Sequence, residues 1–421
     1  MTGKSEENQV QLRRTLGLFD ATAISVGAII GAGIFVVTGI VAGLAGPGLI
    51  LSIILAGVIA AFTALNFAQL SAYMPKEGGG YEFTYHLISP YAGFLAGWVW
   101  IFSNIFTSAA VSLGFAQYLV AVFPTLPVEI LAVAICLLFT LINYAGVRES
   151  AMINNVLVVS KVLILLFFIA LGVSFVKPAN FNPFAPQGSL GIVEGAALIF
   201  FAYGGYARVT TVAEEVKDAS RNIPRAILLA LLLSTILYVS ISFVAVGLVG
   251  SQTLSVSGSP LAAAIGVTGI SAAVWLVSAG ALIATASVLL MSILGVSRMT
   301  FAMARNKQLP SFLSRVHPSF QTPHYAIWAT GILSSVLVFG GFSRVVAVGT
   351  FALLFHHALV NFAAIRLKAE NRRYPVFVSV IGFLLCLTLM VFLSFDAWII
   401  GIAGLAVGSV YYGLEAREKR K

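Results

Sequence analysis

The chain of 421 residues is 59% hydrophobic and 9% charged, with a mean hydropathy of +1.00. A soluble globular protein carries about 25% charged residues, so the composition excludes one and leaves a polytopic membrane protein. Cys136 and Cys386 each lie inside an apolar run, which gives no disulfide framework and says little about redox compartment.

Residues 1–16 are polar and include Arg13 and Arg14. The apolar run behind them is far longer than the roughly 7–15 residues of a signal-peptide core. It is therefore read as an uncleaved first span, with 1–16 as a cytoplasmic tail. Stretches of about 20 apolar residues fall near 17–45, 48–73, 90–121, 127–144, 153–176, 190–216, 224–250, 271–302, 325–342, 343–365, 374–393 and 395–414, twelve in all. A turn at Gly340-Gly341-Phe342-Ser343 separates the ninth from the tenth, and 262–270 reads as a short surface helix on the extracellular side.

Twelve crossings put both termini on one side, and that side collects twenty of the 24 Lys and Arg residues. Lys177 and Arg344 fall on the other side, while Lys161 and Arg208 lie inside spans. By the positive-inside rule both termini are cytoplasmic. Topology thus accounts for the net charge of +9 without nucleic acid.

Two spans carry interruptions. The first contains Gly27-Ala28-Ile29-Ile30-Gly31-Ala32-Gly33-Ile34-Phe35, and the sixth contains Phe201-Ala202-Tyr203-Gly204-Gly205-Tyr206. Glycines inside a membrane-length helix free backbone groups that lipid does not tolerate unless something polar meets them. Five spans over 17–176 and five over 190–368 begin with these breaks in opposite orientation, and two further spans occupy 374–415. This is the arithmetic of an inverted 5+5 repeat, in which paired interrupted spans point to a transporter's substrate site. Pro178, Pro183 and Pro186 mark the connection between the blocks.

Restarted helix amides suit an anion, which assigns the amides of Gly31, Ala32 and Gly33 to a substrate carboxylate. The carbonyls of Ile29, Phe201, Ala202 and Gly204 are then free to accept from an ammonium. Together they describe a receptor for a zwitterion. Glycines also serve close helix contacts, and Phe201, Tyr203 and Tyr206 also suit ordinary packing; Phe201 is favoured as an aromatic lid. Asn104 and Ser108 in the third span are read equally as substrate contacts and as polar links between helices.

These residues carry a resemblance. The first break, the run Phe200-Phe201-Ala202-Tyr203-Gly204-Gly205-Tyr206 and Ala213-Glu214-Glu215 with Arg221-Asn222-Ile223-Pro224-Arg225-Ala226-Ile227 resemble the amino acid–polyamine–organocation superfamily. Pro75-Lys76-Glu77-Gly78-Gly79-Gly80-Tyr81 and the stretch from Ser297-Arg298 through Ala302-Met303-Ala304-Arg305 to Leu309-Pro310 do so as well. The resemblance implies an all-α membrane protein of twelve transmembrane helices, a LeuT-like 5+5 inverted repeat with discontinuous first and sixth helices. It also implies a secondary transporter of amino acids, not an enzyme, with backbone substrate contacts and alternating access by rocking of the first, second, sixth and seventh spans.

Coupling is a separate question. None of the 15 Asp and Glu residues occupies mid-membrane, whereas Lys161 lies deep in the fifth span. An intramembrane ionisable residue is a functional hypothesis. A lysine that gains and loses a proton can mimic a bound sodium ion between the first, fifth and eighth spans; the competing arrangement snorkels to the cytoplasmic interface. Proton-coupled members of the superfamily carry a fifth-span lysine where sodium-coupled relatives bind sodium, and Ser160-Lys161-Val162-Leu163-Ile164 is similar to that pattern. Thr285 and Ser287 in the eighth span are the residues that suit a sodium site. His356 and His357 are read as rival proton carriers or as a packed histidine pair. Arg208 is read as an ion pair to Glu214 or Glu215 in a gate, as the lining of a wet vestibule, or as a contact for a substrate's acidic side chain.

A cationic side chain or polyamine needs an acidic partner, and no mid-span carboxylate offers one, so neutral amino acids lead. The expected function is neutral amino acid uptake by proton symport across the plasma membrane, with an amino acid exchanger or a cationic amino acid transporter as the alternative. No cofactor and no metal is expected beyond the proton as coupling ion; the partners are the amino acid and lipid. A membrane enzyme needs a catalytic constellation that the chain does not display, and a passive channel lacks a closing site.

Overall fold

Apolar runs with few internal prolines leave the backbone one way to satisfy its own polar groups in lipid, the helix. The computed structural model describes residues 14–76, 78–123, 127–146 and 151–418. The features expected on residues 1–13, Glu77, Arg148 and 419–421 lie outside the described residues. Among the described residues there is no strand, and one isolated parallel bridge joins Leu16 to Val216.

The helices are α1 (Leu18–Ile29), α2 (Thr38–Ala45), α3 (Leu49–Tyr73), α4 (Gly80–Leu87), α5 (Pro90–Val122), α6 (Val128–Tyr144), α7 (Ala151–Gly172) and α8 (Gly188–Ile199). They continue as α9 (Ala219–Val256), α10 (Pro260–Gly266), α11 (Ser271–Arg305), α12 (His324–Leu337), α13 (Phe342–Arg366), α14 (Val376–Val391) and α15 (Phe395–Glu418). Among the described residues eight helical runs are long and apolar enough to cross a membrane, and α6, 324–340 and α14 are shorter apolar helices. The lipid-facing pattern is plain on α9. Leu229, Leu232, Leu233 and Ile236 are exposed, while Ala226, Ile227, Ala230 and Leu237 are buried, the i, i+3, i+4, i+7 spacing of a helix with one face in the bundle.

The first break falls where the glycines place it. α1 ends at Ile29, Ile30 is extended (φ −77°, ψ 97°), and the chain resumes through a wide turn over Gly33–Val37 into α2. Gly46, with φ +62° and no room for a Cβ beside Pro186, turns the chain toward α3. The second break differs from a simple interruption of one α-helix. α8 stops at Ile199, Phe200–Tyr203 is a 3₁₀ turn, and after Gly204 and Gly205 the chain continues as 3₁₀ helix over Tyr206–Glu215. The run Val209-Thr210-Thr211-Val212 explains this. β-Branched side chains disfavour the α-helix, and the hydroxyls of Thr210 and Thr211 bond the carbonyls of Ala207 and Arg208 three residues back, both at 2.8 Å.

A short helix forms near the expected 262–270 but starts earlier, as α10, because Pro260 suits the first helical turn, and it is not a surface helix: Leu261, Ala262, Ala264 and Ile265 are buried. α5 packs against α11 and α13, and α3 against α8, α9 and α14. A buried amide network ties α14 to this core. Asn66 Nδ2 donates to Asn361 Oδ1 at 2.8 Å, and the Ser379 hydroxyl and Gln69 Nε2 donate to Asn66 Oδ1 at 2.6 and 2.8 Å.

Candidate functional site

The two breaks touch. A Cβ on Gly33 would fall 2.4 Å from the Cβ of Ala202, and one on Gly205 would fall 2.3 Å from the carbonyl carbon of Ala28. Only glycine permits this approach of backbone to backbone. Beside the contact lies a cavity of about 70 Å³, room for roughly five waters at about 10–15 Å³ each.

Of the residues expected to bind substrate, Ile29, Gly31, Ala32, Gly33, Asn104, Phe201, Ala202 and Gly204 line this cavity. The chain resumes its helical path at Ala32 and Gly33, so their amides stand at the head of a new stretch where no residue of the same helix accepts from them. Two expected residues point elsewhere. The Tyr203 hydroxyl donates to the Ile53 carbonyl at 3.2 Å, and Ser108 donates to the Asn104 carbonyl at 2.9 Å and pairs with Ser292 at 3.0 Å.

The carbonyls at the breaks are partly engaged. Tyr238, fully buried on α9, directs its hydroxyl to the Ile29 carbonyl at 2.8 Å, with the Ala202 carbonyl 3.4 Å away. It thus spans both breaks. The Phe201 carbonyl accepts from the Gly204 amide at 3.3 Å. A carbonyl has two lone pairs, so each keeps capacity for a ligand. Sequence reasoning passed over Tyr238. The available signal was a tyrosine in a lipid-length run, whose hydroxyl must find a partner inside the bundle.

Lys161 does not snorkel. Its ammonium is buried and donates to the Gly27 carbonyl at 2.8 Å, the Ile30 carbonyl at 3.0 Å and the Ser287 hydroxyl at 2.9 Å. Three acceptors match three ammonium protons. Because α1 stops at Ile29, these carbonyls form the negative end of its dipole, where a cation is stabilised. Ser287 belongs to α11, so Lys161 joins the first, fifth and eighth predicted spans. Thr285 instead donates to its own helix, to the Ala281 carbonyl at 2.7 Å.

Arg208 is not paired with Glu214 or Glu215. Among the described residues the ion pairs are His86–Glu82 and Arg344–Asp396. Arg208 Nη2 donates to Asn104 Oδ1 at 3.1 Å and its guanidinium lies over the Trp100 ring, 5.4 Å from the centroid. It borders both the central cavity and an adjoining vestibule of about 280 Å³ walled by Glu82, Glu215 and Arg298.

His356 and His357 both border the central cavity. His356 Nδ1 is 3.0 Å from the Ala96 carbonyl and His357 Nδ1 is 2.6 Å from that of Leu353. A carbonyl only accepts, so each Nδ1 carries a proton, and among the described residues His357 Nε2 is buried with no hydrogen-bond partner. The glycine loop of the Pro75 motif closes on this corner. A Cβ on Gly79 would lie 2.4 Å from Thr210 Oγ1, and one on Gly80 would lie 2.5 Å from His356. Tyr206 bonds Thr63 across the same wall.

Comparison with known proteins matches this sequence to a family. The family model described as amino acid permease covers residues 16–412. The chain belongs to the amino acid permease family. It is 34% identical to the methylthioribose transporter of Bacillus subtilis (strain 168), over 99% of this chain and 96% of that one. It is 33% identical to the branched-chain amino acid permease BcaP of the same organism, over 97% and 94%. It is also 36% identical to the chloroplastic cationic amino acid transporter 9 of Arabidopsis thaliana, over 73% of this chain and 58% of that one. This family member is an integral membrane protein of the amino acid–polyamine–organocation superfamily, and its relatives are transporters rather than enzymes.

Proposed function

We propose that the protein takes up neutral amino acids by proton symport, through alternating access of a site built from the two breaks. The frame is a twelve-span 5+5 inverted repeat with both termini in the cytoplasm, in the plasma membrane. The 56-residue run Leu18–Tyr73 turns at Gly46–Gly48 between α2 and α3, which divides it into two stretches each long enough for a roughly 30 Å hydrocarbon core. Counting it as two crossings and adding the three shorter apolar helices to the other seven runs gives twelve.

The observation that carries the mechanism is the Lys161 ammonium bonded to Gly27, Ile30 and Ser287. Protonated, it holds the first break open and fixes the α1 end of the cavity. Deprotonated, it loses one donor and the charge that the α1 carbonyls stabilise, so the break is free to change shape. Proton binding and site geometry are thereby one equilibrium, the linkage that symport requires. The substrate carboxylate takes the amides of Gly31, Ala32 and Gly33, and its ammonium takes the spare lone pairs of Ile29, Ala202 and Gly204. Phe201 covers it. Among the described residues no carboxylate borders the central cavity, which disfavours cationic side chains.

Purified protein in liposomes tests this. Uptake of a neutral amino acid should accelerate when the outside is acidified and ignore a sodium gradient. Uptake that demands sodium and ignores pH refutes the coupling, and flux that persists without a pH gradient but requires internal substrate favours exchange.

A further inference from the structure

Among the described residues Arg208 has no countercharge: its Nη2 reaches only the neutral oxygen of Asn104, and its Nη1 is buried with no hydrogen-bond partner. Space has been left for it. A Cβ on Gly295 would fall 2.7 Å from Nη1, so a glycine on α11 admits the guanidinium. The neighbouring Thr210 and Thr211 spend their hydroxyl protons on backbone carbonyls. Charge of this kind in a low-dielectric site calls for an anion, and a guanidinium fork matches a carboxylate in shape and charge. Arg208 borders the same cavity as the breaks at Gly31 and Ala202, so a ligand held by its backbone zwitterion there can direct a side chain to it.

We propose that Arg208 receives the side-chain carboxylate of an acidic amino acid, so that the carrier takes aspartate- and glutamate-like substrates in addition to neutral ones. This rests on the central cavity being the amino acid site. Asn104 is the positioning residue. It donates to the Trp100 carbonyl at 2.9 Å and accepts from Nη2, which fixes the guanidinium over the indole. Glu215 and Glu82 line the adjoining vestibule that Arg208 also borders, and neither is paired with it.

The experiment is competition in liposomes loaded with purified protein. Uptake of labelled L-alanine, L-leucine and L-serine is measured against unlabelled L-glutamate, L-aspartate or L-lysine, with chloride or sulfate as the medium anion. The expected result is inhibition by glutamate or aspartate, little by lysine, and no dependence on chloride. Arg208→Gln should lower the ratio of acidic to neutral affinity at least tenfold, and Arg208→Lys, which keeps the charge but not the fork, by less. Neutral uptake that acidic amino acids do not inhibit in the unaltered protein overturns the inference alone. So does an unchanged ratio in both variants, or neutral uptake that collapses when sulfate replaces chloride, which would make the occupant an inorganic anion. Absence of all amino acid uptake overturns the site reading together with it.

Discussion

The Lys161 ammonium lies 3.0 Å from the Ile30 carbonyl oxygen, the group left without a helical partner where α1 stops. A charged side chain and an interrupted helix, each expensive in lipid by itself, are solved by one another.

Replacing Lys161 by Ala should therefore abolish the acceleration of uptake by external acid while leaving substrate binding measurable. Under the proposed coupling, acid outside protonates the lysine on the side where substrate enters, so in the unaltered protein uptake should rise as external pH falls. The variant also strands two carbonyls, at a cost of about 1–3 kcal/mol. Binding by thermal-shift titration and pH-jump uptake in liposomes separate the two effects. A variant that keeps its pH response would remove Lys161 from coupling.

Tyr238→Phe deletes one hydroxyl and keeps the ring. The bond to Ile29 at 2.8 Å should account for about 1 kcal/mol of stability, seen as a melting point lower by a few degrees in detergent. Substrate affinity should weaken severalfold, because the two breaks lose the group that spans them. An unchanged affinity would make Tyr238 a packing residue only.

Gly205→Ala should stop transport without blocking membrane insertion. The new methyl must displace the backbone of Ala28 and Ile29, an overpacking cost of about 1–3 kcal/mol paid at the cavity. Gly413→Ala is the matched control. Nothing lies within 4 Å of a Cβ there, so uptake and stability should stay within about 0.5 kcal/mol of the parent.

Asn361→Leu tests the frame apart from the site. It removes the acceptor of Asn66 at 2.8 Å and should lower stability by about 1–3 kcal/mol, with the order of preference among amino acids unchanged. A shift in that order would tie the α3–α13–α14 network to the site.

The breaks and Lys161 were legible in the sequence because each is an offence against lipid: glycines where a continuous helix is required, a charge where none is tolerated. Their signals are local. What escaped depends on three-dimensional approach. Tyr238 lies thirty-six residues from Ala202, and nothing in its own helix announces where its hydroxyl ends. Tyr203 sits between two cavity residues, Ala202 and Gly204, yet the tight 3₁₀ turn rotates it toward Ile53. Ser108 is one helical turn from Asn104 and on the expected face, but Ser292 of α11 claims it first. Arg208 was legible as an anomaly, and its acidic neighbours at 214 and 215 were the wrong partners because a 3₁₀ path carries them away from it.

The bridge between Leu16 and Val216 has a reach beyond its size. The amides of Thr15 and Leu16 donate to the Glu215 carbonyl at 3.0 and 3.1 Å, and the Lys217 amide donates to the Leu16 carbonyl at 2.8 Å. All three bonds run from main chain to main chain, so the chain entering one interrupted segment is yoked to the chain leaving the other. Side-chain replacement cannot unfasten them; of the twenty residues only proline, lacking the N–H, can cut such a link. The segments that carry the two breaks are thus tied together at one end by main-chain bonds, beside the buried side chains of Leu16 and Val216.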